Sequence, residues 1–241
     1  MNLKHVDSEK ILFLDIETVR GLESFDELDE RGKGLWEKKA EHSFSDTDPS
    51  VSWENAGLYA EFGKIVCISV GLLHTDQSGR KLRIKAFYGH DEKEVLQGFG
   101  DLLNSYYNRK DQFLCAHNGK GFDFPFLCKR FLINGLEIPE ILDVTGKKPW
   151  EVSLIDTMEI WKFGNWKGAV SLDSLAWIFG IPSPKGDIDG GQVGDVFWKD
   201  QDLARIVTYC NKDVEALVQV FLKLKREELI SSDKITIQDV L

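Results

Sequence analysis

Apolar residues in this chain collect into short, dense runs that predict β-strands. Five runs rich in Ile, Val, Leu and Phe cover residues 11–19, 64–73, 81–88, 112–117 and 152–156. The polar stretch HTDQSG between the second and third runs predicts a turn, and therefore an antiparallel hairpin. We expect the first three strands to pair in sequence order within one sheet.

The spacing of apolar residues changes to the helical period after the third run. Residues 91–108 carry apolar side chains three or four positions apart, and 124–135, 157–163, 171–179 and 202–229 also predict helices. The alternation of strands and helices in the second half predicts βα units. We therefore expect an α/β protein with a mixed five-stranded sheet flanked by helices.

One long interruption, residues 21–61, separates the first two predicted strands. Its acids outnumber its bases, but it also contains Trp36, Trp53, Leu58 and Tyr59, so we expect it to pack, partly as helix. No repeat or low-complexity tract divides the sequence. The chain is therefore interpreted as a single domain, 1–241, with an acidic insertion at about 21–61.

Composition narrows the class of protein. The net charge of −10 argues against a protein that coats nucleic acid, since such proteins are usually basic. No apolar run reaches membrane-spanning length, and the first ten residues contain no apolar signal region. Cys67, Cys115, Cys128 and Cys210 have no paired spacing and lie in apolar surroundings. This predicts buried free thiols and a cytoplasmic location, with no membrane contact.

The first predicted strand, ILFLDIETV, carries two acids in a segment that otherwise resembles a core strand. Because side chains in a strand alternate between faces, Asp15 and Glu17 share a face with Ile11 and Phe13. Two like charges at the edge of a core are costly unless a cation lies between them. The pair therefore predicts a positively charged partner.

Two further acids are candidates to join this pair. Asp123 follows the fourth predicted strand, and Asp213 lies on the last helix, four residues after Tyr209 and on the same face. If the first and fourth strands are neighbours, the four carboxylates meet at one edge of the sheet. Two divalent cations about 3.5–4 Å apart would make such a cluster a phosphoryl-transfer site. Oxygen ligands favour Mg²⁺ or Mn²⁺ over zinc.

Three motifs resemble those of the DEDD superfamily of 3′–5′ exonucleases. FLDIET, HNGKGFDFPFL and YCNKDV follow the patterns D-x-E, N-x-x-x-F-D and Y-x-x-x-D in that order. No histidine lies in the final third of the chain, which favours the tyrosine subtype, DEDDy, over the histidine subtype. The second motif and SLDSLAWIFGIP are most similar to the proofreading exonuclease domain of family-B DNA polymerases and its stand-alone bacterial relatives. The resemblance covers residues 10–222 and implies a ribonuclease-H-like fold.

The resemblance also implies roles for the matched residues. Tyr209 would orient the attacking water. The carboxylates that would bind two Mg²⁺ or Mn²⁺ ions are Asp15, Glu17, Asp123 and Asp213. The residues that the resemblance implies contact the terminal nucleotides are Thr18, Asn118 and Phe122. Apart from the resemblance, the charge of Lys120 makes it the best candidate among the lysines of this half to follow a phosphate backbone, with a solvated surface as the alternative.

The implied activity is hydrolysis of single-stranded DNA from its 3′ end to nucleoside monophosphates. A polymerase, a helicase or a repair complex would be a fitting partner. The same four acids would also serve an RNA-trimming exonuclease, with the choice made at the 2′ position of the sugar. A binding module of the same fold without turnover is a further alternative, but all four acids and the tyrosine are present.

Residues outside the motifs are open to two interpretations. Trp177, in LAWIF, is expected to pack in the core, and His117 is expected to be a strand-end residue and not a general base. Lys185 and Asp187, in the glycine-rich loop 182–194, are further candidates for the site. The other tryptophans that could stack on bases are Trp161, Trp166 and Trp198.

Overall fold

A mixed β-sheet with helices on its faces is the framework of the protein. The computed structural model describes residues 3–44, 48–165 and 167–238. In these ranges the strands are β1 (Ile11–Arg20), β2 (Gly63–Asp76), β3 (Gly79–Tyr88), β4 (Phe113–Ala116), β5 (Leu154–Asp156) and β6 (Ile235–Gln238). Their order across the sheet is β5-β4-β1-β2-β3-β6. Strands β1, β2 and β3 are antiparallel neighbours, and β4 and β5 continue the sheet parallel to β1.

The prediction of five strands was wrong by one. The additional strand, β6, runs parallel to β3 and pairs Ile235 with Leu82. Its four residues, ITIQ, follow the polar segment SSDK and are too few to stand out as an apolar run. The mixed α/β sheet is confirmed, and so is the hairpin, since β2 and β3 are joined by a turn at residues 77–78.

The helices of the described ranges connect the strands and lie close to their predicted positions. They are α1 (Glu30–Ser43), α2 (Glu92–Tyr106), α3 (Asp123–Ile133), α4 (Thr157–Lys162), α5 (Leu172–Ile178) and α6 (Leu203–Lys225). Single helical turns occur at Pro49–Ser52 and Val193–Asp195, with a π-helical turn at Val196–Asp200. The short 3₁₀ segments are Leu3–His5, Ser8–Lys10, Phe25–Glu27, Trp53–Leu58, Pro149–Glu151 and Ser232–Lys234.

Capping residues account for the ends of α6. Its N-cap is Asp202, whose side chain accepts a hydrogen bond from the backbone N–H of Arg205. The helix stops at Arg226, which adopts the left-handed conformation with φ of 62°. The helix is therefore shorter than the predicted range 202–229.

Alternation along β1 divides the core between the two faces of the sheet. Ile11 and Phe13 point to the face covered by α6, and the ring of Phe13 lies 5.1 Å from that of Phe221. Leu12 and Leu14 point to the opposite face, where α2 and α3 pack on them. Because Asp15 and Glu17 continue the Ile11–Phe13 row, the α6 face also carries the two acids.

The insertion at 21–61 has a hydrophobic core of its own. Trp36 and Trp53 are buried, and their rings meet edge to face with centroids 5.1 Å apart. The indole N–H groups donate to backbone oxygens, Trp36 to Pro49 and Trp53 to Leu22. The prediction that this segment packs, partly as helix α1, is confirmed.

The four cysteines carry free thiols, as the sequence predicted. Cys67, Cys115 and Cys210 are buried, whereas Cys128 is only partly so. In the part of the chain that the structure describes, none of the helices combines the length and apolar character that a membrane crossing requires.

Candidate active site

Asp15 and Glu17 lie on β1 just beyond the end of β4. The last residue of β1 that pairs with β4 is Phe13, opposite Cys115, so the acids occupy a stretch of β1 that only β2 flanks. There, Asp15 lies opposite Ser69 and Glu17 opposite Cys67. The register then shifts between Glu17 and Thr18, which is the geometry of a β-bulge. The sheet therefore presents the two acids at its edge, as the sequence predicted.

Helix α6 brings the third motif to this face. Gly71 lets the helix approach the sheet closely, because a Cβ atom at that position would lie 2.7 Å from Cγ1 of Val214. One turn earlier, the hydroxyl of Ser69 donates a hydrogen bond of 2.7 Å to the side-chain carbonyl of Asn211. These contacts fix the height and rotation of the helix, and so the positions of Tyr209 and Asp213.

Asp123 reaches the same edge from the other side of β1. It is the first residue of α3, and its side chain is only 4% exposed. The backbone N–H of Ile16, which lies between the two acids of β1, is close enough to this carboxylate to lower its pKa. The predicted adjacency of the first and fourth strands is confirmed by the parallel pairing of β1 with β4. The structure thus brings the three motifs together.

Burial raises the pKa of all four carboxyl groups. For Asp15 and Glu17 the effect is greatest, and the charge of Asp213 adds to it in both cases, so both pKa values lie well above the usual range. The pKa of Asp123 is raised to about 7 and that of Asp213 to about 6, again chiefly by burial. A cluster of this kind holds protons near neutral pH unless cations replace them.

The hydroxyl of Tyr209 faces this cluster. Burial, followed by the negative charge of Asp213, raises the pKa of Tyr209 far above its ordinary value. The phenol is therefore protonated at any physiological pH, and it lies close enough to the carboxylate of Asp213 to lower the pKa of that group. A protonated phenol at this place can also donate to a water or to a phosphate oxygen.

The donor set at this edge suits divalent cations. Ligand atoms of Asp15, Glu17 and Cys210 lie within 4.8 Å of one another. Asp123 and Asp213 are near enough that their charges raise the pKa of both β1 acids. Carboxylate oxygens are the ligands preferred by Mg²⁺ and Mn²⁺. The acidic cluster is therefore suited to divalent cations, and the identity of the ions stays a prediction. Sequence reasoning missed the thiol of Cys210, which lies beside Asp15 and Glu17.

The residues predicted to contact substrate lie around the same edge, and several have structural partners. The hydroxyl of Thr18 donates a 2.8 Å hydrogen bond to the carbonyl of Gly57 in the insertion. Asn118 is exposed and left-handed, with φ of 61°. The ammonium of Lys120 lies 2.7 Å from a carboxylate oxygen of Glu159. The substrate-contact roles of these side chains stay predictions.

Phe122 is half-buried at the start of α3. Its ring lies 5.4 Å from that of Phe126, and it packs against the core that α2 and α3 share. One side of the ring is therefore fixed by the protein, and its exposed part is the only surface available to a base or ribose. Its role as a substrate contact also stays a prediction.

Asp156, which sequence reasoning did not select, organises the loop that carries Asn118 and Lys120. Its buried carboxylate accepts hydrogen bonds of 3.0 Å from the backbone N–H groups of both residues. It also caps α4 by accepting from the N–H groups of Met158 and Glu159. The signal in the sequence is an acid between a strand-like run and a helix, which predicts an N-cap but not the second set of bonds.

The expectation that Trp177 packs in the core was wrong. It lies on the outward side of α5 and is 81% exposed. Among the other tryptophans, Trp161 packs on Phe179, and Trp198 donates to the backbone carbonyl of Arg20. Trp166 lies outside the described residues.

His117 and the glycine-rich loop border the site. Both ring nitrogens of His117 have partners, the hydroxyl of Thr157 at 2.9 Å and the carbonyl of Val170 at 2.8 Å. This supports its interpretation as a strand-end residue. In the loop, Lys185 lies 3.8 Å from Asp173 and close enough to Asp213 to lower the pKa of that carboxyl. Asp187 pairs with Arg205 of α6.

Comparison with known proteins agrees with the motifs. A family model described as "predicted 3′-5′ exonuclease related to the exonuclease domain of PolB" matches residues 58–236, well over half of the chain. A search of curated proteins finds no match.

Two solved structures are similar to this chain. The family B DNA polymerase from the hyperthermophilic archaeon Pyrobaculum calidifontis is 19% identical, with a TM-score of 0.52; the alignment covers 88% of this chain and 24% of the polymerase. Exonuclease I is 13% identical, with a TM-score of 0.40, over 88% of this chain and 40% of its own. The chain thus spans less than half of either protein.

The likeness to the polymerase confirms the ribonuclease-H-like fold implied by the motifs. The same motifs converge at one edge of the sheet, and the family model spans the second and third of them. The chain therefore belongs to the family of predicted 3′–5′ exonucleases related to the exonuclease domain of PolB.

Proposed function

We propose that this protein is a metal-dependent 3′–5′ exonuclease that releases nucleoside monophosphates from the 3′ end of single-stranded DNA. The observation that carries the proposal is the convergence of four carboxylates, Asp15, Glu17, Asp123 and Asp213. Burial raises the pKa of all four, and the charge of Asp213 raises that of the other three further. Such a cluster is unfavourable without cations and becomes favourable with them. A site of this kind is suited to displacement at a phosphodiester.

Two Mg²⁺ or Mn²⁺ ions held by these carboxylates would supply a nucleophile from water and stabilise the leaving 3′ oxygen. The chain's own residues provide the rest. Tyr209, protonated and next to Asp213, would hold the attacking water by a hydrogen bond. The backbone N–H of Ile16, close to the carboxylate of Asp123, would help to hold that carboxylate in position relative to β1. Positioning of this type supplies much of the rate in phosphoryl transfer.

The substrate strand would enter along the loop that follows β4. Asn118 is exposed on this loop and would donate to the strand, and Phe122 would pack on the terminal base or ribose. Lys120 would exchange its ion pair with Glu159 for a phosphate, since exposed ion pairs contribute little stability. Thr18 would contact the terminal nucleotide from the end of β1.

The wider context of the enzyme is part of the same proposal. Free thiols support a cytoplasmic location, and a polymerase, a helicase or a repair complex would suit an exonuclease of this kind as a partner. RNA trimming is the alternative activity, because the four carboxylates make no contact that distinguishes the two sugars. A non-catalytic binding module is disfavoured because every acid and the tyrosine are in place.

The test uses 5′-labelled single-stranded DNA and the matched RNA, each also with a blocked 3′ end. Reactions contain Mg²⁺, Mn²⁺ or EDTA, with Asp15→Asn and Tyr209→Phe as variants and Asp101→Asn, an exposed acid of α2, as control. We expect metal-dependent shortening of unblocked DNA from the 3′ end, lost in Asp15→Asn and unchanged in Asp101→Asn. Shortening of RNA alone would assign the alternative substrate. If the DNA and RNA substrates both stay intact with Mg²⁺ and with Mn²⁺, the proposal is overturned.

A further inference from the structure

A cleft of about 630 Å³ opens where β4 begins, whereas the candidate active site lies where β4 ends. Phe113, the first residue of β4, lines this cleft. Phe113 pairs with Ile11, and Asp15 follows Ile11 by four residues, so the cleft lies about 13 Å along the sheet from the acids at about 3.3 Å a residue. Its volume is typical of a ligand site. We call it the distal cleft.

Three cations, Arg109, Lys110 and Lys147, line the distal cleft of a protein whose net charge is −10. In the part of the chain that the structure describes, neither Arg109 nor Lys110 forms an ion pair. Lys147 donates a 2.9 Å hydrogen bond to a neutral acceptor, the backbone carbonyl of Glu140. The acids of the lining are Glu140 and Glu151, and the carboxylate of Glu151 is already held by a backbone N–H group. The cations are therefore available to an anionic ligand.

An exposed tryptophan stands beside these cations. Trp150 lines the distal cleft and is 77% exposed. The turn that carries it is closed by two 2.8 Å hydrogen bonds between Lys148 and Glu151. The ammonium of Lys148 lies over the indole, 5.3 Å from the ring centroid. An aromatic ring held open to solvent among cations is the combination that binds a nucleobase and its phosphates.

A second cleft, of about 500 Å³, links the distal cleft to the loop after β4. Val152 lines both clefts, and Lys120, on the loop that leads to the candidate active site, lines the second. The walls of this connecting cleft are mainly apolar, with Phe124 and Ile138 among them, and Lys129 adds a second cation. Apolar walls suit bases, and the two ammonium groups suit phosphates.

We propose that the two clefts form one tract that binds the single strand upstream of its 3′ end. In this tract Trp150 stacks on a base, and Arg109 and Lys110 contact phosphates. The tract gives the path of the substrate and so rests on the proposed function, but binding in it needs neither metal nor hydrolysis. A free nucleoside monophosphate carries the same base and phosphate. The link through Val152 and the openness of the Trp150 ring favour a continuous strand.

The first measurement is fluorescence anisotropy of a labelled DNA strand of about 15 nucleotides, a length within the range of single-strand sites, in EDTA so that it is not cut. The variants are Trp150→Ala, Trp150→Phe and the double variant Arg109→Gln/Lys110→Gln. The control is Arg31→Gln/Lys38→Gln, which removes the same charges from the exposed surface of α1. Because Trp150 is mostly exposed, its replacement should leave the fold intact, and thermal unfolding checks this for every variant.

We expect Trp150→Ala to weaken strand binding about 5- to 150-fold, the loss that follows removal of a stacking ring, and Trp150→Phe to keep most of the affinity. A plot of log affinity against log salt has a slope of about 0.7 for each phosphate contact of a single strand. The double variant should therefore lower the slope by about 1.4, and the α1 control should leave it unchanged. With Mg²⁺, Trp150→Ala should raise KM for the long strand and leave kcat, and the hydrolysis of a dinucleotide, unchanged.

Equal strand affinity of the native protein and Trp150→Ala would overturn the inference, as would an equal change of slope in the α1 control. Binding of deoxyadenosine monophosphate that depends on Trp150, with strand affinity unchanged, would also overturn it and assign a free-nucleotide site. If the native protein hydrolyses no DNA while strand binding depends on Trp150, the proposed function fails and the tract stands.

Discussion

Gly71 tests whether the close approach of α6 to the sheet determines the active site. In Gly71→Ala, the added methyl group would lie 2.7 Å from Cγ1 of Val214, with Leu82 and Val218 at 3.4 and 3.5 Å. Carbon atoms in contact are about 3.5–4.0 Å apart, so α6 or the strand must move by about 1 Å. Overpacking of this kind costs about 1–3 kcal/mol.

Two measurements follow from this displacement. For a chain of this length the loss of stability lowers Tm by about 2–12 °C. Because Val214 is next to Asp213 on the helix, the same movement shifts Asp213 relative to Asp15. A misplacement of about 1 Å can reduce turnover by about 10²-fold. The assays are thermal unfolding and the rate of hydrolysis of labelled single-stranded DNA.

Two further variants make the result specific. Gly34→Ala lies in α1, where an added Cβ meets nothing within 4 Å, and it should leave activity unchanged and raise stability by up to about 1 kcal/mol. Val214→Ala in the Gly71→Ala background removes the clashing methyl group and should restore part of both Tm and turnover. A Gly71→Ala protein as stable and active as the native one would refute the reasoning, as would a double variant no better than the single.

Three other predictions concern pH, the loop after β4 and the insertion. In the folded, metal-free protein, Asp123 and Asp213 have pKa values of about 7 and 6, so they keep their protons up to that pH. In the unfolded chain the same groups have the ordinary aspartate pKa of 3.8 and release their protons earlier. The stability of the folded protein should therefore fall as pH rises from about 4 to 7. Melting in EDTA should show this, and Asp123→Asn should reduce the slope; a slope unchanged by that substitution contradicts the assignment. Asp156→Ala leaves four N–H groups without their acceptor, so the free energy of unfolding in urea should fall by at least about 3 kcal/mol and KM for DNA should rise. Both effects should be smaller in Asp156→Asn. An equal KM in the native protein and both variants would exclude a positioning role for Asp156. Trp36→Ala should lose about 3–5 kcal/mol, because the indole is fully buried among aromatic rings, and an unchanged unfolding midpoint would show that the insertion does not contribute to stability.

The sequence predicted most of the sheet and the meeting of its acids because both depend on local patterns. The two-residue period places Asp15 and Glu17 on one face, and the four-residue spacing places Tyr209 with Asp213. These two spacings are set by residues close together in the chain. The meeting of the acids also needed one assumption about distant segments, that β1 and β4 are neighbours.

Features set by distant contacts were not predictable. LAWIF has no polar position to mark its outward side, so the exposure of Trp177 depends on how α5 meets α6. The bonds from the loop after β4 to Asp156 join residues 36 and 38 positions apart. Likewise, Lys120 finds Glu159 only once α4 is in place. The four residues of β6 form a strand only because β3 offers them an edge.

The pairing of β6 with β3 also bears on how the protein avoids strand-mediated self-association. Open edges of sheets recruit strands from other molecules, and long flat edges do so most readily. Here the outermost strands, β5 and β6, have only three and four residues, and the long strands β2 and β3 lie inside them. A chain shortened ahead of Ile235 would expose the middle of β3, Leu82–Lys85, as a template for a neighbouring molecule. Strand β6 thus covers the edge of β3. Variants truncated before β6 would favour oligomers in which the β3 edges of two molecules pair.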